Sequence, residues 1–190
     1  VCTPESQEPY CEDLRWKGDA PMYVSTAQTL YQIREKNKLE RIADFEVAGT
    51  GSLEEQPKMT DIAMNFQGDL YGIAGMIIYK IHSKTGKMKF LTVVNQSMDG
   101  FTAMPNGDLV AAGNSIVVID PTTGRKFTLV PEGKYTSTGD IQYFNGDLYW
   151  ITKEQNDSVL VKVAISGLAE KIGTLEISNI EGLLNNNKKN

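Results

Sequence analysis

Residues 67–73 read Gln-Gly-Asp-Leu-Tyr-Gly-Ile, residues 106–112 Asn-Gly-Asp-Leu-Val-Ala-Ala, and residues 145–151 Asn-Gly-Asp-Leu-Tyr-Trp-Ile. The glycines are Gly68, Gly107 and Gly146, and 107 − 68 and 146 − 107 are both 39. A phrase that returns at a fixed step of this size marks a repeat architecture. Working outward, one unit starts at Met59, the next at Met98 and a third at Ser137. A more divergent unit starts at Pro21, where Met22 lies over Leu70 and Tyr31 over Tyr79.

Each unit holds four short apolar runs separated by turn residues. In the Met59 unit they are Ile62–Phe66, Leu70–Ala74, Ile77–Ile81 and Lys89–Val94. The runs are rich in Ile, Val, Tyr, Phe and Leu and have the length of strands. Gly-Asp and Thr-Gly supply the tight-turn positions that hairpins need. No window sustains the spacing of an amphipathic helix. The stretch 30–43 comes nearest, but it aligns with strand–turn–strand in the other units. Four antiparallel strands per repeat of about 40 residues predict an all-β chain folded as a β-propeller of about four four-stranded blades. One such sheet cannot bury both faces alone, and stacking blades around an axis covers them. Exposed lysines on the outermost strand, such as Lys87 and Lys89, would blunt its edge.

The expected blades span 21–58, 59–97, 98–136 and 137–177. The Pro21 unit begins at its second strand, so a strand at 178–184 is expected to fill the vacant inner place and close the ring. The competing inner strand is Asp13–Trp16, which would leave 178–184 to begin a truncated fifth blade. Residues 1–20 form a polar opening segment and 185–190 a polar tail.

These phrases, with the Tyr-Lys-Ile, Val-Val-Ile and Val-Lys-Val strands and the Thr-Gly turns that follow, resemble the secreted bacterial propellers related to the NHL and gluconolactonase-like groups. The likeness covers nearly everything beyond residue 20. It implies architecture more than activity, because propellers host many functions. In the gluconolactonase-like group an acidic residue of a Glu-Gly sequence ligates a metal, and Ile180-Glu181-Gly182 is a partial match.

The 190 residues carry a formal net charge of −5, which disfavours nucleic acid and anionic membrane surfaces as partners. No apolar run approaches the ~20 residues of a membrane span. Cys2 and Cys11 stand in a polar segment, where a disulfide is the favoured reading and two free thiols or a lipid-bearing Cys2 the alternatives. A disulfide implies an extracytoplasmic location: periplasm, cell surface or outside the cell. No signal peptide is present, so Val1 is expected to begin a processed or trimmed chain.

An acid stands at the start of each expected inner strand: Asp61, Asp99, Asp140 and, in the closing strand, Glu181. Either these carboxylates gather at one mouth of the channel, suiting a hard cation such as Ca²⁺, or each caps its own turn. Their spacings to the glycine of the Gly-Asp turn are seven, eight and six residues, and one step of register flips a side chain across a sheet. Asp69, Asp108 and Asp147 are expected to form turns. His82 has no partner for a zinc site or a triad, and no nucleophile elbow is present. Trp16 and Tyr10, outside the repeats, are candidate ligand contacts; Tyr71, Phe101, Tyr143, Tyr149 and Trp150 are expected mostly in the core between blades. The leading functional reading is a non-catalytic module that binds a protein or glycan. The alternatives are a Ca²⁺-dependent lactonase or hydrolase and a fragment of a larger ring.

Overall fold

The structure is a computed structural model, and it describes residues 21–34, 38–48 and 56–175. Among these residues the chain is all strand and turn. Blade 1 holds β1 (Met22–Ser25), β2 (Thr29–Arg34) and β3 (Lys38–Asp44), followed by the short β4 (Glu46–Val47). Blade 2 is β5 (Asp61–Met64), β6 (Leu70–Ala74), β7 (Ile77–Ile81) and β8 (Lys87–Val93). Blade 3 is β9 (Gly100–Ala103), β10 (Leu109–Ala112), β11 (Ile116–Ile119) and β12 (Lys126–Val130). Blade 4 is β13 (Thr136–Phe144), β14 (Asp147–Glu154), β15 (Asp157–Ala164) and β16 (Ala169–Leu175). Each blade is an antiparallel meander, and the four form a four-bladed β-propeller. Blade 1 begins at its second strand, as the alignment of Met22 with Leu70 requires. Residues 178–184, expected to complete it, lie outside the described residues, as do 1–20 and 185–190.

The repeated phrase is the first hairpin of its blade. In blades 2 and 3 the turn is long: the Gly68 N–H donates to Asn65 O and the Gly107 N–H to Met104 O, both at 3.0 Å. In blade 4 it shrinks to Asn145-Gly146, both at positive φ (50° and 95°), the signature of a two-residue hairpin turn. The leucine of the phrase (Leu70, Leu109, Leu148) is buried in blades 2, 3 and 4 and packs into the interface with the preceding blade.

The core is the set of interfaces between blades. Leu30, Met59, Tyr79, Ile81 and Met88 join blades 1 and 2. Tyr71, Ile73, Phe101, Leu109 and Ile119 join blades 2 and 3. Val110, Ile116, Ile141, Trp150 and Val161 join blades 3 and 4. Trp150 is fully buried edge-on to Tyr135, with ring centres 5.8 Å apart.

A second device repeats at the other turn. Gly86, Gly124 and Gly167 end the third-to-fourth strand turns, all at positive φ. Each lies under a carbonyl of the preceding blade. A β-carbon would stand 2.5 Å from Asp44 O at Gly86, 3.5 Å from Leu91 O at Gly124 and 2.5 Å from Leu129 O at Gly167. At Gly86 and Gly167 the missing side chain therefore sets how closely successive blades pack, while the contact at Gly124 is an ordinary van der Waals distance.

One feature departs from the expected pattern. β4, the exit from blade 1, adds to blade 2 as a fifth strand, parallel to β8, with Glu46 opposite Lys87. The edge at Lys87 is covered by a strand as well as charged, while Lys89 remains exposed.

Candidate functional site

The inner strands β5, β9 and β13 surround the ring axis, with their first residues at the end that also carries the blade connections and the second hairpins. Register fixes which residues are equivalent. Asp61 pairs with Ile73 and Gly100 with Ala112; Ile141 pairs with Trp150, one step beyond Asp140. Asp61, Gly100 and Asp140 therefore occupy one ring position, and Asp99 stands one residue before it.

Asp61 is tied to three blades. Its Oδ1 accepts the Ile62 N–H at 2.8 Å, and its Oδ2 accepts the Phe101 N–H of blade 3, also at 2.8 Å. The Asp140 carboxyl of blade 4 lies near enough to act on it electrostatically. Asp140 Oδ1 in turn accepts the Ile141 N–H at 2.7 Å. Blades 2 and 4 face each other across the ring, so this proximity reflects a narrow axis, as four blades give. Burial, and secondarily the neighbouring Asp140, push the Asp61 carboxyl from 3.8 up to about 7.

Gly100 makes room for this arrangement. A β-carbon there would stand 2.8 Å from the Ile141 nitrogen and 3.1 Å from the Asp140 Cα. Only a residue without a side chain lets β9 and β13 close to this distance.

Of the four candidate acids, the fold brings Asp61 and Asp140 together. Asp99 is exposed as a residue, partial desolvation raises its carboxyl somewhat, and its N–H donates to Ala112 O at 2.8 Å. Glu181 lies outside the described residues, as do Cys2, Cys11, Tyr10 and Trp16. Among the described residues no group of three or more His, Cys, Asp or Glu gathers as a metal site would. The geometry of Asp61 and Asp140 matches a hydrogen-bonding role, reaching beyond their own turns to the neighbouring blades.

The other acids divide between two roles. Asp108 stays in its turn, bonded to Asn106. Asp69 and Asp147 sit at their turns as expected and also form ion pairs at 2.8 Å, with Lys80 and Lys162 respectively. The lysine comes from the third strand, opposite Tyr71 or Tyr149. Blade 3 has Val110 and Val118 in those places, so Asp108 has no lysine to meet. A Lys at this point of the third strand was the sequence signal for the pairing. Asp69 raises the Lys80 ammonium, which lies 5.7 Å from the Tyr71 ring centre.

His82 occupies the turn position that Asp120 holds in blade 3. Asp120 Oδ1 accepts the Thr122 N–H at 2.8 Å, whereas His82 Nδ1 accepts the Lys84 N–H at 3.4 Å. Beside the Asp61 end of the axis, Gln56, Pro57, Lys58, Ala74 and Gly75 line a shallow recess, with Met76 exposed at the hairpin tip. No helix among the described residues is long and apolar enough to cross a membrane.

No protein-family model matches the chain, and a search of curated proteins finds no match. Solved structures do match. A virginiamycin B lyase from Staphylococcus aureus is 16% identical with a TM-score of 0.55, over 84% of this chain and 53% of that one. A hydrazine synthase from Kuenenia stuttgartiensis is 16% identical at 0.59, over 87% and 48%. YCF48, solved with a D1 peptide bound, is 11% identical at 0.52, over 83% and 51%. The chain spans about half the length of these proteins. At such identities the likeness is one of fold, and it places this chain among β-propellers that include both enzymes and binding proteins.

Proposed function

We propose that the protein is a non-catalytic binding module acting outside the cytoplasm, which presents the loops at the Asp61 end of the ring to a protein or glycan ligand. The observation that carries this reading is how the reactive side chains are employed. Asp61 and Asp140 accept backbone N–H groups, His82 caps a turn, and Asp69 and Asp147 are paired with lysines. These groups serve the scaffold, and loops on a rigid scaffold are where propellers and similar folds bind. The recess beside Lys58 and the exposed Met76 give that end a contact surface. A fold neighbour solved with a peptide bound is in keeping with it. The location outside the cytoplasm rests on the reading of Cys2 and Cys11 as a disulfide.

The test is to probe the immobilised protein with a glycan array and a displayed peptide library, beside a Lys58→Glu/Met76→Asp variant of unchanged melting temperature. The reading expects a specific ligand that the variant loses. Absence of any specific ligand, or turnover of a lactone and ester panel by the wild type, would overturn it.

A further inference from the structure

The three copies of the repeated phrase differ at the residue before the glycine: Gln67-Gly68, Asn106-Gly107 and Asn145-Gly146. An Asn-Gly pair carries a latent reaction. The glycine nitrogen attacks the asparagine side-chain amide carbon, and glycine has no β-carbon to obstruct the approach. Gln67 is a poor participant, because its longer side chain would close a larger ring. The two Asn-Gly turns are held in opposite ways. In blade 3 the attacking group is occupied: the Gly107 N–H donates to Met104 O at 3.0 Å. The Asn106 side chain is held at both ends, Nδ2 donating to Asp108 Oδ2 at 2.8 Å and Oδ1 accepting the Asp108 N–H at 3.0 Å. Gly107 is buried, and the Gln67 side chain of blade 2 lies 3.5 Å from where its β-carbon would stand.

In blade 4 each of these restraints is gone. Asn145 and Gly146 are exposed, and no atom lies within 4 Å of the β-carbon position at Gly146. Phe144 pairs directly with Asp147, so the two-residue turn has no counterpart of the Gly107 bond. Among the described residues neither the Gly146 N–H nor the Asn145 side chain has a hydrogen-bond partner. Asp147, the counterpart of Asp108, is committed to Lys162 at 2.8 Å. Blade 3 has Val118 in the place of that lysine, which leaves Asp108 to hold its asparagine.

We propose that Asn145 is a site of self-modification, deamidating in the folded protein while the turn of blade 3 protects Asn106. The Gly146 nitrogen gives its proton to hydroxide and bonds to Asn145 Cγ. The bond from Cγ to Nδ2 breaks, and the nitrogen leaves as ammonia, giving a cyclic imide. Water opens the imide at either carbonyl, leaving aspartate or isoaspartate; nothing is oxidised or reduced. The peptide between Asn145 and Gly146 must rotate for the attack, and the open space around this loop tip permits it. Either product adds a negative charge beside Asp147. Isoaspartate also lengthens a turn that sets the register of β13 with β14. The site is independent of what the module binds.

The experiment incubates the full chain at pH 8 and follows both sites by mass spectrometry of tryptic peptides. Residues 135–153 carry Asn145 and residues 90–125 carry Asn106, so trypsin separates the two. Each event exchanges NH₂ for OH, and electron-transfer fragmentation locates the residue and distinguishes isoaspartate. In the folded protein Asn145 should convert at least tenfold faster than Asn106. In guanidinium chloride, where neither turn exists, the two rates should agree within about twofold. Conversion of Asn145 no faster than that of Asn106 in the folded chain would overturn the proposal. A tenfold gap that persists in guanidinium chloride would also overturn it, by tracing the preference to local sequence and not to the fold.

Discussion

The amide nitrogen of Ile141 lies 2.8 Å from where a β-carbon on Gly100 would stand. The β-carbon is fixed by its own backbone and the atoms it meets are backbone, so no rotamer change relieves the clash. Gly100→Ala should therefore cost about 1–3 kcal/mol, the usual range for overpacking. Urea unfolding of the variant checks this. The ¹³C titration of Asp61 should shift toward ordinary carboxylate behaviour in the same protein, because β13 is forced outward.

The turn glycines separate two costs that are often confounded. Gly68 and Gly167 both have positive φ (85° and 87°), but Gly68 faces open space while Gly167 lies under Leu129 O. Gly68→Ala should cost about 1–2 kcal/mol, the left-handed penalty alone. Gly167→Ala should cost more, since the packing of blade 4 on blade 3 must also loosen. Comparable losses in denaturant unfolding would show that the carbonyl contact is unimportant.

His82 stands where blade 3 has an aspartate that accepts N–H groups from its own turn. His82→Asp should leave the fold intact and raise stability by about 0.5–1 kcal/mol, the worth of a hydrogen bond gained. Thermal unfolding at pH 7 checks it.

The exposed ion pairs should contribute little. Side chains at Asp69 and Lys80 are 42% and 49% exposed. Lys80→Ala should cost less than about 1 kcal/mol, and less still in 0.5 M salt.

The pH dependence carries a definite sign. Asp61 binds its proton more tightly in the fold, with a value of about 7 against 3.8 for the free group. Its contribution to stability is fully present below the free value, is lost as pH rises through about 7, and is level above that. Asp120, by contrast, is lowered by the Thr123 hydroxyl and the Thr122 N–H; its contribution is present above 3.8 and lost as pH falls. Melting temperature of wild type minus that of Asp61→Asn should fall from pH 4 to 7 and then flatten.

Much of this was legible because a propeller repeats its local physics. Strands of blade 2 expected at Leu70–Ala74 and Ile77–Ile81 are found there, since turn glycines and alternating apolar residues bound them on both sides. The ring position of the acids was not legible. Asp61, Asp99 and Asp140 look alike in sequence, and only the length of the following turn tells them apart. The two-residue Asn145-Gly146 turn removes the residue that makes Asp140 seem out of step, while Asp99 is displaced by Gly100. The parallel addition of β4 to β8 was hidden because Glu46 and Val47 are too short to register as a strand. The pairing of Asp69 with Lys80 was hidden behind the stronger turn signal of Gly-Asp.

Blades 2 and 4 approach each other across the axis through Asp61 and Asp140, and a double-mutant cycle measures that coupling. Stabilities of wild type, Asp61→Ala, Asp140→Ala and the double variant would be measured at pH 5. The structure predicts a coupling energy of about 0.5–3 kcal/mol, as for residues in contact. Additivity within about 0.3 kcal/mol would place the two aspartates apart and contradict it.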